Sequence, residues 1–343
     1  MKKTLMVVAV ALIALTAIFA QAAAESTEKG ASKNLILITA TSADNLNAVV
    51  PAFEEKYGIK VEIITGSTGE VMARIKAEKD NPSCDVTWVG EYQALMDPSL
   101  FETYIASTDK EYPEKFRNTS GVFTAINGTC PVIVWNTKLV PNGIKGYKDL
   151  LDPALKGKIA FGDAGTSSSA YNHLENMLLD FGSGDINAKA GWDYVEALLK
   201  QLDGRVVNSS SATYKGVVSG EYAVGLAWDA PALQLMSSNT PNVDFCYMEE
   251  GAASKLSGIC VIKGAKNADN AKLFADFLSS KEGQALLAEK SSGACPVRTD
   301  VELPPSKEIM KTANIFAVDS VWSAGIKKEV QTKFTDLLTT IVK

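Results

Sequence analysis

Two rhythms of apolar spacing alternate along the chain. Residues 34–41 (NLILITAT) form an apolar run of strand length, and across residues 44–57 Leu46, Val49, Val50 and Phe53 recur at helical spacing. The pair then repeats: residues 59–65 predict a second strand, 71–79 a second helix and 85–89 a third strand. A βαβαβ opening favours an open, largely parallel sheet with helices on both faces. Residues 122–135 hold two extended runs split by Asn127-Gly128-Thr129, which predicts a crossing into a second domain. The alternation resumes there, with strands expected at 159–161, 205–207 and 224–228 and helices from about residues 169, 188 and 214. A return crossing is expected at 247–260, with strand 258–262 re-entering the first domain. A helical stretch at 270–289 completes that domain, and the tail at 320–342 packs on it or across the hinge.

The expected fold is therefore α/β and two-lobed, each lobe an open, mostly parallel sheet flanked by helices. Residues 25–128 and 256–343 are assigned to lobe 1 and residues 129–255 to lobe 2, joined by two crossings. That geometry suits hinge closure around a ligand.

The amino terminus adds a location. Lys2 and Lys3, the apolar run 5–20 and small residues at 22–24 have the three-part form of a cleaved secretory signal, taken as residues 1–24. The first cysteine is Cys84, far from the cleavage point, so a lipid-anchored form is not expected and a freely soluble periplasmic protein is. Roughly 320 residues remain after cleavage, more than one core usually serves. The net charge of −6 comes without a basic stripe, which argues against nucleic acid as a partner. None of the five cysteines forms a C-x-x-C pair. A bridge between Cys130 and Cys260, both near the expected crossings, is one option in an oxidising compartment, and buried unpaired thiols are the other.

Five loops at expected strand ends are rich in small hydroxyl residues and glycine. They are 39–42 with Thr41 and Ser42, 66–69 with Ser67, Thr68 and Gly69, 127–129 with Thr129, 165–169 with Thr166, Ser167, Ser168 and Ser169, and 209–213. Singly, each reads as helix capping. Together, converging from two lobes, they read as an anion cradle built from backbone N–H groups and hydroxyls. No Gly-Lys-Ser/Thr ending is present, so a nucleotide-hydrolysing P-loop is not expected. Arginine is absent from these loops, so neutral donors would hold the anion. A second constellation is acidic and aromatic: Trp228 and Asp229 where a strand meets a helix, then Tyr247, Glu249 and Glu250 entering the return crossing. Trp228 could stack on a sugar face or fill the core, and Asp229 could be a plain helix cap.

The stretch GVVSGEYAVGLAWDAPALQL, with YMEEGAASKLSGICVIKGAKNADNAKLFADFLSSKEGQALL after it, resembles the carboxyl half of extracellular solute-binding proteins that feed ABC importers. The similar branch contains ferric-iron, hexose-phosphate and aminophosphonate binders. The resemblance implies that acidic residues matching Asp229 and Glu250 hold sugar hydroxyls, although the hexose-phosphate pattern has His where this chain has Trp228. It implies for iron binders an adjacent tyrosine pair, where this chain reads WDAPALQL. His173 is the only histidine, which leaves zinc or manganese without a ligand set and a hydrolase without the usual base, and no Gly-x-Ser-x-Gly elbow is present. The expectation is a monomeric, non-enzymatic carrier without cofactor or metal. It would capture a small phosphorylated solute, foremost a hexose phosphate, and deliver it to a membrane permease; an aminophosphonate or ferric iron is the alternative cargo.

Overall fold

The computed structural model describes residues 32–207, 209–311 and 313–342, so the expected secretory signal lies outside the described residues. The chain opens with β1 (Asn34–Thr39), α1 (Ala43–Tyr57), β2 (Lys60–Thr65), α2 (Thr68–Ala77), β3 (Val86–Gly90) and α3 (Glu91–Met96), and reaches the first crossing through β4 (Thr124–Thr129). β5 (Pro131–Asn136), β6 (Ile159–Ala160), α4 (Ser168–Phe181), α5 (Lys189–Gln201), α6 (Ser210–Ser219), β7 (Val224–Trp228), α7 (Asp229–Ser237) and β8 (Val243–Cys246) follow. The chain returns through β9 (Ala252–Val261) to α8 (Ala268–Ser279), α9 (Lys281–Lys290), β10 (Cys295–Pro296), β11 (Ile315–Ala317) and the long α10 (Ser320–Val342).

These strands form two sheets. The first runs β10-β4-β9-β3-β1-β2, with β11 also paired to β9, and the second runs β6-β7-β5-β8. Parallel pairing holds for β1 with β2 and β3, and for β6 with β7. The strands that carry the chain between the sheets, β4, β5 and β9, pair antiparallel with their neighbours β3, β7 and β8, so both sheets are mixed. Only Cys130 separates β4 in the first sheet from β5 in the second, and residues 247–251 separate β8 from β9. The expected strand at 205–207 shrinks to a single bridge, Val207 to Gly162, which extends the second sheet past β6.

Side-chain alternation explains the first sheet. Leu35 and Leu37 point into one core with Val49, Phe53, Phe274 and Phe277, while Ile38 points into another with Val71, Ile75 and Phe123. A strand buried on both faces needs an unbroken apolar run, which NLILIT supplies. The second sheet has its own core around Val132, Val134, Phe161, Leu174, Leu198 and Leu226. Val330 and Phe334 of α10 join that core, while Ser320 bonds Glu91 of α3, so the tail packs across the hinge. Glycine is required where backbones meet: a Cβ on Gly258 would lie 2.1 Å from the Thr124 carbonyl oxygen, and one on Gly225 2.5 Å from that of Thr213.

All five cysteines are unbridged, which corrects the Cys130–Cys260 option. Cys260 is buried among the apolar side chains packed on the first sheet, whereas Cys130 belongs to the core of the second. Among the described residues no helix is long and apolar enough to cross a membrane.

Candidate ligand site

Three strand-to-helix loops lie side by side on the first sheet, because β3, β1 and β2 are neighbours and parallel. Ser42 caps α1 by accepting the Asn45 N–H at 3.3 Å, and the Thr41 hydroxyl accepts from the Asn45 amide at 3.1 Å. Ser67 caps α2 in a reciprocal box with Glu70, whose carboxylate takes the Ser67 N–H at 2.8 Å. Thr68 and Gly69 form the first turn of α2, where N–H groups have no intrahelical partner.

The second sheet repeats the layout, with Val207, β6 and β7 as parallel neighbours leading to α6, α4 and α7. Ser167 caps α4 and Ser209 caps α6. Within the loop ahead of α4, the Asp163 carboxylate already takes the Gly165 N–H at 2.8 Å and the Thr166 hydroxyl at 3.2 Å. Ser168 is exposed and Ser169 half-buried in the first turn of α4. The two sheets' loops meet through Gly293: Asp44 of α1 binds the Ser292 N–H at 2.9 Å, and a Cβ on Gly293 would lie 3.0 Å from Ala230 of α7.

Thr129, Trp228 and Asp229 are brought together, but Asp229 is buried at 1 % exposure. Its carboxylate accepts from Thr129 Oγ1 at 2.8 Å, the Cys130 N–H at 2.9 Å, Cys295 Sγ at 3.2 Å and the Tyr247 hydroxyl at 3.5 Å. Burial pushes its pKa up to about 6, against the pull of those donors. Trp228 stays half-buried at the end of β7. Asp229 thus gathers both sides of the first crossing.

Glu250 has a different place. Its two oxygens accept the Tyr147 and Lys148 N–H groups at 3.1 Å each, anchoring the short helical turn at Tyr147–Leu151. Burial, and then the charge of Glu250, raise the pKa of nearby Asp180 to about 7. Both carboxylates that the sugar-hydroxyl reading names therefore have protein donors in this conformation.

His173 is fully buried between the Tyr147 hydroxyl, 2.8 Å from Nδ1, and the Ala227 carbonyl, 2.6 Å from Nε2. A ring nitrogen facing a carbonyl must carry the proton, so Nδ1 accepts from the tyrosine. Burial lowers its pKa to about 4. As the single histidine, it should give one set of imidazole NMR signals that stays neutral down to about pH 4, and titration near 6.5 would contradict this packing. Among the described residues no group of three or more His, Cys, Asp or Glu converges as metal donors. Tyr171 donates to the Ser323 carbonyl and Tyr222 lies against Gly216, so these two are separately engaged.

Residues outside the sequence-based candidates also reach this region. Ser320, Ser323 and Lys327 share one side of α10. Ser320 meets Glu91, Ser323 meets Glu175 and Lys255, and Lys327 meets Ser168 at 3.3 Å. Their spacing of three and four residues was the available signal.

Two α/β lobes joined by crossing strands have the architecture of a two-lobed solute-binding protein. The family model for bacterial extracellular solute-binding proteins matches residues 48–317, and the chain belongs to that family. It is 27% identical to the putative 2-aminoethylphosphonate-binding periplasmic protein of Salmonella typhimurium over 88% of each chain. It is 26% identical to iron uptake protein A1 of Synechocystis over 76% of this chain and 75% of that one. Among solved structures, the periplasmic binding protein AfuA of Actinobacillus pleuropneumoniae, with exogenous fructose-6-phosphate bound, aligns at TM-score 0.69 and 25% identity. That alignment covers 90% of this chain and 99% of AfuA. These relatives are transport binding proteins rather than enzymes, and the family's location is periplasmic. Such proteins hand a small ligand to the permease of an ABC importer.

Proposed function

We propose that this protein captures a small phosphorylated solute, foremost a hexose phosphate, between its lobes. The carrying observation is the pair of matching loop rows: α1 and α2 on the first sheet, α4 and α6 on the second, each opening at a strand's carboxyl side with a serine cap. Unpaired N–H groups and aligned peptide dipoles at such ends favour an oxyanion. AfuA, with fructose-6-phosphate bound, supports the hexose-phosphate form of the reading. Asp229 sets the hinge beneath Trp228, and the half-buried indole offers a flat face for a sugar ring. The protein acts as a monomer and releases its cargo chemically unchanged.

Native mass spectrometry and thermal melts with glucose 6-phosphate, fructose 6-phosphate, 2-aminoethylphosphonate, inorganic phosphate and ferric citrate test this. A hexose phosphate at a hundred times its Kd should stabilise the fold by about 2.7 kcal/mol, rising with the logarithm of concentration. Inorganic phosphate, lacking a ring to meet Trp228, should stabilise less. A shift with ferric citrate and none with phosphorylated compounds would overturn the reading.

A further inference from the structure

Resting on the phosphorylated-solute reading, we propose that Lys327 is the charge partner of the bound anion and makes this site prefer a phosphorylated solute to its neutral counterpart. Two ammonium groups converge on α4 from distant parts of the chain, Lys255 from β9 and Lys327 from α10. One carboxylate, the fully buried Glu175, acts on both by its charge but pairs with Lys255 alone. Lys255 Nζ bonds Glu175 Oε2 and, at 2.9 Å, Ser323 Oγ, whose own proton goes to Glu175 Oε1.

Lys327 is left without an ion pair. Its ammonium donates to Ser168 Oγ at 3.3 Å and stands 5.0 Å from the centre of the Tyr171 ring. Among the described residues no carboxylate lies within ion-pair distance of it. Burial, and then the charge of Lys255, lower its pKa, with Glu175 opposing. Two positive charges against one negative charge, in a half-buried setting, leave a surplus that an incoming oxyanion neutralises.

The position of that surplus matters as much as its sign. Ser168 belongs to the serine loop that opens α4, so the ammonium already touches one of the proposed grip residues. Ser320, on the same side of α10, bonds Glu91 at the start of α3 on the first sheet, and Lys255 pairs in register with Thr129 at the first crossing. The cluster therefore stands where both sheets meet, and the Asp163 carboxylate of the same serine loop is already engaged by Gly165 and Thr166. An anion entering against Ser168 and Ser169 meets Lys327 without breaking the Lys255–Glu175 pair.

Calorimetric titration of full-length protein with fructose 6-phosphate and with fructose, for wild type, Lys327→Met, Lys327→Arg and the exposed neighbour Lys328→Met, tests the assignment. Lys327→Met should weaken fructose 6-phosphate binding by about tenfold or more, as for loss of a charge-assisted contact, with Lys327→Arg within about threefold of wild type. Lys328→Met should bind as wild type does. Without ligand, Lys327→Met should melt no lower than wild type, because it removes a surplus charge rather than a paired one. A Lys327→Met protein that titrates like wild type, or that melts well below it without ligand, overturns this inference alone. A wild type that binds fructose 6-phosphate no better than fructose overturns the phosphorylated-solute reading and this inference together.

Discussion

Replacing Asp229 with alanine is expected to lower the unfolding free energy by about 2–4 kcal/mol, because the Cys130 N–H and Thr129 hydroxyl lose a buried acceptor. Asp229→Asn should cost under about 1 kcal/mol, since the amide oxygen can keep Cys130 while Thr129 reverses its hydroxyl. The two variants also differ in pH dependence. Folded Asp229 holds its proton to about pH 6, whereas the unfolded chain releases it near 3.8, so stability falls as pH rises across that window. The penalty is about 3 kcal/mol once both states are ionised. His173 works in the opposite direction: its folded pKa of about 4 lies below the ordinary 6.5, so stability falls as pH drops from 6.5 to 4. The two slopes largely offset each other. Asp229→Asn should therefore expose a steeper acid loss than wild type between pH 6.5 and 4, read from urea midpoints across pH. Ligand titration of the same variant separates hinge from contact: affinity within threefold leaves Asp229 in the hinge, and a loss beyond about tenfold makes it a ligand contact.

Lys307→Met should be comparably damaging. This lysine is 1 % exposed, and its ammonium donates to the carbonyls of Leu287 at 3.4 Å, Ala288 at 2.9 Å and Ser291 at 2.6 Å, closing the carboxyl end of α9. Burial lowers its pKa, opposed by the charges of Cys295, Asp44 and Asp229, while three carbonyls at the negative end of the helix accept from the ammonium. Methionine fills the stem's volume but leaves those carbonyls without a donor, a loss of about 3 kcal/mol. The urea midpoint should fall accordingly, and amide exchange should accelerate first at the end of α9. Lys311→Met, which removes only an exposed pair with Glu308, should stay within about 0.5 kcal/mol of wild type. Equal effects from the two lysines would contradict the capping role.

Much of the fold was legible because its causes are local. NLILIT declares a strand buried on both sides, the spacing of Leu46, Val49, Val50 and Phe53 declares α1, and the βαβαβ order places three loops in a row. The serine caps were equally visible. The environment of Asp229 was not, since its burial depends on Tyr247 and Cys295, brought in by later strands. Glu250 likewise reads as a free carboxylate until the turn at Tyr147 folds beneath it. The Lys255 and Lys327 pair was missed for the same reason: they lie in different elements, and only the packing of α10 along α4 gives them a common neighbour. Local spacing reports which face a residue occupies, whereas electrostatics depend on what the rest of the chain sets opposite that face.

The single residue between β4 and β5 limits how the molecule can open. One linking residue has too few rotatable bonds to let the halves slide apart, but enough to let them swing. On the proposed reading, a swing about Cys130 would open a wedge that is widest at its outer rim and nearly fixed beside the pivot. Girth near that pivot, more than length, would then set what can be carried.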